Sequence, residues 1–120
     1  MIEVKKIKLK DFEIGGDKLT ILAGPCAAES QEILNETAQG LKEITQDLGI
    51  NYVFKSSFDK ANRSSITSYR GPGLEKGLTM LQEVKDKFDL PIVTDIHTPD
   101  QAEKVAKVAD ILQIDRKSVV

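Results

Sequence analysis

Across residues 55–73 the sequence reads KSSFDKANRSSITSYRGPG. Four cations, Lys55, Lys60, Arg63 and Arg70, stand there against one anion, Asp59, among six serine and threonine hydroxyls. Lysine offers a compact point charge, and arginine a planar fork that matches phosphate or carboxylate. Asn62, Ser57, Ser64 and Ser65 can bond phosphate oxygens or sugar hydroxyls. The mixture suits a phosphorylated polyol. A solvated basic surface loop has the same composition, and the Gly-Pro-Gly at 71–73 has a plainer use as a tight turn before a helix.

The basic cluster is local. The whole chain of 120 residues has a formal charge of −2, so everything outside this segment sums to −5. A protein that holds nucleic acid by neutralising its backbone carries a net basic face, whereas this sequence has a pI near 5.4. Only Phe58 and Tyr69 are available to stack on bases within the segment. A small anionic ligand fits better than a nucleic acid.

A second set of reactive residues is scattered along the chain: Cys26, Asp95, His97 and Gln113. Cys26 and His97 are soft and borderline metal ligands, but a catalytic metal normally takes three or more protein ligands, and the chain has one histidine and one cysteine. Any metal site built from them alone is incomplete. A single cysteine is also a good small buried hydrophobe. Asp95 can act as a base, face a metal, or cap the loop after its strand, and the residues leave these open.

The elements that must position these groups follow from periodicity. VKKIKLKDFEI alternates apolar and charged residues and stops at Gly15-Gly16, which predicts a small hairpin over residues 1–16. LTILAGP, at 19–25, is nearly continuous apolar and predicts a strand buried on both faces. Ser30 can cap the next helix, with Ile33, Leu34, Thr37, Ala38, Leu41, Ile44 and Leu48 at helical spacing until Gly49. NYVFKSS predicts a second strand; after the basic loop, Leu74, Leu78, Leu81, Val84 and Phe88 mark a second helix. PIVTDI is a third strand, TPDQ at 98–101 a capping box with proline at the first helical position, and Val105, Ala106 and Ala109 face inward. DILQI starts a fourth strand, and DRKSVV follows it.

Strands alternating with helices predict a parallel sheet in an α/β fold. Each unusual residue follows or ends a strand, and α/β sheets and barrels place their sites at the carboxyl ends of strands. One surface therefore gathers Cys26, the basic loop, Asp95, His97 and Gln113, which predicts an enzyme. Three and a half units fall short both of a (β/α)8 barrel of about 250 residues and of a doubly wound sheet of about five strands, so the chain is expected to be a fragment. With a lone cysteine, no cleavable leader and no apolar run near the roughly 20 residues of a membrane span, the expected setting is the cytoplasm, with no membrane partner.

AGPCAAES, YVFKSSFDKANRSSITSYRGPGLEKG, IVTDIHTPDQA and ILQI together resemble the 3-deoxy-D-manno-octulosonate 8-phosphate synthases, which are phosphoenolpyruvate-dependent aldolases. The similarity runs from about 19 to 114, the first half of a family member. The related heptulosonate phosphate synthases share the Gly-Pro-Cys turn but carry Lys-Pro-Arg-Thr where this chain has KANRSS. The resemblance implies a (β/α)8 TIM barrel with a hairpin closing its bottom, of which this chain would hold the hairpin and the first three to four βα units as one incomplete domain. It implies a homotetramer and condensation of phosphoenolpyruvate with arabinose 5-phosphate.

Carried over by motif, Lys55, Lys60 and Gln113 would hold phosphoenolpyruvate, with Lys55, Lys60 and Asp95 as the catalytic set. Asn62 would meet the pentose hydroxyls, Arg63 and Ser64 the sugar phosphate, and Ser57 would join the substrate contacts. The family divides into metal-dependent members with cysteine after Gly-Pro and metal-independent members with asparagine there. Cys26 places this chain with the former, implying a divalent ion such as zinc, iron or manganese whose other ligands lie in the second half; His97 is then substrate-side or structural. Where family members continue Pro-Ala-Phe after Ile114, this sequence reads DRKSVV. Residues 115–120 are accordingly expected to be a non-native tail, and the chain alone to be inactive.

Overall fold

The computed structural model describes residues 5–59 and 71–114. Strands β1 (Ile7–Lys8) and β2 (Glu13–Ile14) pair antiparallel, and Leu9 donates its N–H to the Phe12 carbonyl across the turn at 2.9 Å. The chain then alternates: β3 (Thr20–Ala23), α1 (Gln31–Leu48), β4 (Asn51–Lys55), α2 (Leu74–Phe88), β5 (Ile92–Ile96), α3 (Gln101–Ala106) and β6 (Ile111–Ile114). The last four strands form one parallel sheet in the order β3-β4-β5-β6. This is the predicted α/β succession, a hairpin followed by three strand–helix units and a fourth strand.

Local chemistry sets the helix ends. The Ser30 hydroxyl accepts from the Ile33 N–H at 3.1 Å, and Gly49 closes α1 in the left-handed region at φ 68°, where a side chain would be strained. Of the predicted capping box, the Gln101 half is present: its Oε1 accepts from the backbone N–H of His97 at 2.8 Å and of Thr98 at 3.4 Å.

The sheet has two unlike faces because side chains alternate along each strand. Tyr52 and Phe54 of β4, and Ile92 and Ile96 of β5, pack with Leu34, Ala38, Leu78, Leu81, Val84 and Val105 of the helices. Val53 and Val93 point the other way, against Leu9, Phe12, Ile14 and Ile111, so the hairpin covers the amino end of that second face. Lys10 of the hairpin also pairs with Asp89 at the end of α2.

Three expectations about burial are corrected. Residues 19–25 do not form a strand buried on both faces: β3 is an edge strand, and Leu22 keeps 43% of its surface exposed because no neighbour among the described residues covers its side. In α1, Ile33, Ile44 and Leu48 are exposed, since only the stripe through Leu34, Ala38 and Thr45 turns inward. Ala106 is exposed as well, because in a helix of six residues Val105 takes the inward position.

Candidate functional site

Alternation along the strands decides which polar residues meet. Lys55 stands two residues beyond Val53, Asp95 two beyond Val93, and Gln113 two beyond Ile111, so all three share the hairpin-side face at the carboxyl end of the sheet. Register brings them together further: Asp95 lies directly opposite Gln113, and Lys55 opposite Val93, one layer nearer the hairpin. An amine, a carboxylate and an amide thus converge where open α/β sheets and barrels hold ligands.

The turn after β3 is pinned to the end of β4. Ser57 donates its N–H to the Cys26 carbonyl at 3.3 Å and accepts from the Ala28 N–H at 2.9 Å, extending the parallel pairing as an Ala27–Ser57 bridge. The Ser56 hydroxyl donates to the Pro25 carbonyl at 2.7 Å. A Cβ on Gly24 would lie 1.9 Å from the Lys55 carbonyl oxygen, so the two backbones touch there only because residue 24 is glycine. Cys26 itself, in this turn, is an exposed free thiol. Ser57, read from sequence as a substrate contact, holds the Cys26 turn with its backbone.

Beyond β5 a second cluster closes over the end of β4. The Asp95 and His97 side chains are only 7% and 8% exposed, and His97 Nε2 stands 3.5 Å from Asp95 Oδ2. The same nitrogen lies 2.6 Å from the Asp59 carbonyl oxygen. A carbonyl only accepts, so Nε2 carries the hydrogen and donates it. Phe58 meets the imidazole edge-on, with ring centroids 5.9 Å apart. Asp95 Oδ1 is buried with no hydrogen-bond partner among the described residues, leaving a strong acceptor that calls for a donor. Sequence reading treated His97 as substrate-side or structural and did not foresee its contact with Asp59. The apolar Phe58 inside a basic segment was the available signal.

The carried-over roles of Lys60, Asn62, Arg63 and Ser64 fall on residues 60–70, outside the described residues, as does the 115–120 tail. No three histidine, cysteine, aspartate or glutamate side chains among the described residues come close enough to hold an ion, so Cys26 is at most one donor and these residues do not by themselves fit a metal. A groove of about 670 Å³ lies elsewhere, on the outside of α2, where the carboxylates of Glu75, Glu83 and Asp86 outnumber the one cation, Lys87, and disfavour an anion. No helix among the described residues is long and apolar enough to cross a membrane.

The chain is 58% identical over 113 residues to a 2-dehydro-3-deoxyphosphooctonate aldolase of Fusobacterium nucleatum, covering 93% of this chain and 41% of that protein. The same name is carried by relatives in Variovorax paradoxus (56% identical, 89% of this chain, 38% of the relative) and Shewanella amazonensis (51%, 94% and 40%). The chain therefore spans about two fifths of the length of these curated relatives, which agrees with the truncated barrel that the resemblance implies. The model of the DAHP synthetase I family matches residues 2–117, nearly the whole chain, and the chain belongs to that family.

Proposed function

We propose that the protein of which this sequence forms part condenses phosphoenolpyruvate with arabinose 5-phosphate, giving 3-deoxy-D-manno-octulosonate 8-phosphate and inorganic phosphate on the route to lipopolysaccharide. The observation that carries the reading is the convergence of Lys55, Asp95 and Gln113 on one sheet face, beside the pinned Cys26 turn, in a chain whose relatives are named 2-dehydro-3-deoxyphosphooctonate aldolase.

In the condensation, C3 of phosphoenolpyruvate bonds to the aldehyde carbon, water adds at C2, the aldehyde oxygen gains a proton, and phosphate leaves. Two anionic reactants must be held together against their repulsion, and fixing them at attack distance is worth about 7–11 kcal/mol of barrier. Lys55 would neutralise the phosphoenolpyruvate carboxylate or phosphate, with Gln113 donating from the neighbouring strand. Cations belong at those oxygens, since positive charge beside the carbon that becomes electron-poor would slow the reaction. Asp95 Oδ1, the buried acceptor, would take a hydrogen from substrate or water. Lys60 would add to the phosphoenolpyruvate site, Asn62 to the pentose hydroxyls, and Arg63 with Ser64 to the sugar phosphate. Cys26 would be one ligand of a divalent ion whose other ligands lie outside the described residues, and such an ion would orient or activate the water or the aldehyde. The assembly would be a cytoplasmic homotetramer.

The test is phosphate release by the protein extended to the length of its relatives, with arabinose 5-phosphate and erythrose 4-phosphate run side by side. Release with the pentose alone is expected. Turnover with erythrose 4-phosphate instead would move the protein to the heptulosonate activity that the family description names. No release with either sugar would leave an anion-binding chain without catalysis. Cys26→Ser should lose bound metal as read by elemental analysis; retained metal would make the cysteine structural.

A further inference from the structure

The turn that carries Cys26 is gripped on both sides of that residue, and one of the two grips is a side chain. The Ser56 hydroxyl donates to the Pro25 carbonyl at 2.7 Å, and the Ser57 N–H donates to the Cys26 carbonyl at 3.3 Å. The first oxygen belongs to the peptide unit ahead of Cys26 and the second to the unit behind it. Peptide units are planar, so holding both fixes the direction in which the Cys26 side chain leaves the backbone. Pro25 adds a ring-locked φ, and Ala27 and Ala28 are buried directly after the turn. The same grip reaches Lys55. That residue forms the last register pair of β4 with β5, opposite Val93, and the chain beyond it is held by the turn after β3. Its carbonyl meets Gly24 so closely that a Cβ there would lie 1.9 Å from the oxygen. Ser56 comes next in sequence and is 1% exposed, its hydroxyl already committed to Pro25.

We infer that Ser56 is a positioning residue: its hydroxyl clamps the Cys26 turn to the end of β4, so that Lys55 and Cys26 keep one fixed spacing and Lys55 is presented to an anionic ligand without further ordering. The physical gain is preorganisation. A backbone already held in the folded state does not charge the cost of its ordering to ligand binding. Misplacing a binding group by a fraction of its contact distance is expensive, which makes a buried clamp next to Lys55 a functional device as well as a stabilising one. Without the hydroxyl the Pro25 carbonyl loses this donor, and the peptide unit ahead of Cys26 is free to turn. The inference rests on the proposed function only in taking the ligand of Lys55 to be phosphoenolpyruvate; the clamp itself is independent of that reading.

The experiment uses the protein at the length of its relatives and compares Ser56→Ala with Tyr52→Phe. Each variant removes one hydroxyl that donates from the β4 side to a backbone carbonyl on the β3 side, Tyr52 to Ala23 within the strand and Ser56 to Pro25 in the turn. If Ser56 only stabilised the seam, the two variants would behave alike. Melting temperatures should fall by similar amounts in both, since each loses one hydrogen bond of the same kind. Phosphoenolpyruvate binding in calorimetry should weaken about tenfold in Ser56→Ala and less than about twofold in Tyr52→Phe. Hydrogen exchange at the Ser57 amide, which holds the other side of Cys26, should rise about fivefold in Ser56→Ala alone. Unchanged affinity in Ser56→Ala would overturn the proposal, as would equal losses of affinity in the two variants. If the wild type binds no phosphoenolpyruvate, the assignment of substrate fails and exchange decides the clamp: a rise confined to Ser56→Ala upholds it, and a rise in both variants or in neither overturns it.

Discussion

The two central strands and the two edge strands of the sheet carry similar apolar sequences and meet different fates. In β5 every residue is buried, and in β4 the three central residues are; in β3 and β6 none is. Burial here is conferred by neighbours on both sides, not by the strand's own residues. The candidate site divides the same way: Lys55 and Asp95 come from the central strands, while Gln113 and the Cys26 turn belong to the edges. The centre is a finished piece of architecture. Among the described residues each edge strand has a paired neighbour on one side only, and its side chains stay partly or fully exposed.

The largest expected effect tests this division directly. Phe54 is fully buried between β4 and the helices, so Phe54→Ala should destabilise the fold by about 3–5 kcal/mol in urea denaturation. Leu22→Ala, on the half-open edge, should cost about 1 kcal/mol in the 120-residue chain. In a protein extended to the length of its relatives, the inward face of β3 gains cover, and the Leu22 cost should rise toward that of a core leucine. Equal costs for Leu22→Ala in the two lengths would mean that the edge is a finished surface and the comparison is wrong.

A smaller effect is expected where edge meets centre. At Gly24 an added methyl would be driven into the Lys55 carbonyl, so Gly24→Ala must push β3 off β4 and carry the Cys26 turn with it. Overpacking of this kind costs about 1–3 kcal/mol. Gly40 is the control: it sits within α1 with nothing within 4 Å of an added Cβ, and Gly40→Ala should stabilise by about 0.5–1 kcal/mol. Thermal melts that moved in the same direction for both would show that the close approach at Gly24 relaxes without cost.

The order and type of the elements were legible because periodicity is a local signal: the alternation in β1 and β2, the spacing in α1 and α2, and the Ser30 and Gly49 caps all read from adjacent residues. Burial was less so. Ile33 and Ile44 share the apolar character of Leu34 and Ala38, and only the packing of α1 tells which stripe turns inward. Of the site, the convergence of Lys55, Asp95 and Gln113 was foreseeable from the rule that ligands sit at strand carboxyl ends. The contact of His97 with Asp59 was not, because it joins residues 38 positions apart through a backbone oxygen that has no sequence signature. Ser57 teaches the same point, since its backbone carries the pairing that steadies Cys26.

The smallest predicted effect concerns a single bond from centre to edge. The Tyr52 hydroxyl on β4 donates to the Ala23 carbonyl on β3 at 2.8 Å, and Tyr52→Phe should cost about 1 kcal/mol at neutral pH. Burial also pushes the phenol's pKa above its ordinary value of 10, because the phenolate would have to be formed away from water. A group whose folded pKa is raised contributes its stability fully below the unfolded value and loses it as pH climbs past that value. The wild type's advantage over Tyr52→Phe should therefore be constant up to about pH 9, then shrink and reverse above about pH 10, as the unfolded chain ionises and the folded one does not. An advantage that stayed level through pH 11 would mean that the hydroxyl ionises as easily folded as unfolded. Tyr52 would then be solvated, and the seam between β3 and β4 would be open to water on its helix side, making β4 as much an edge as its neighbour.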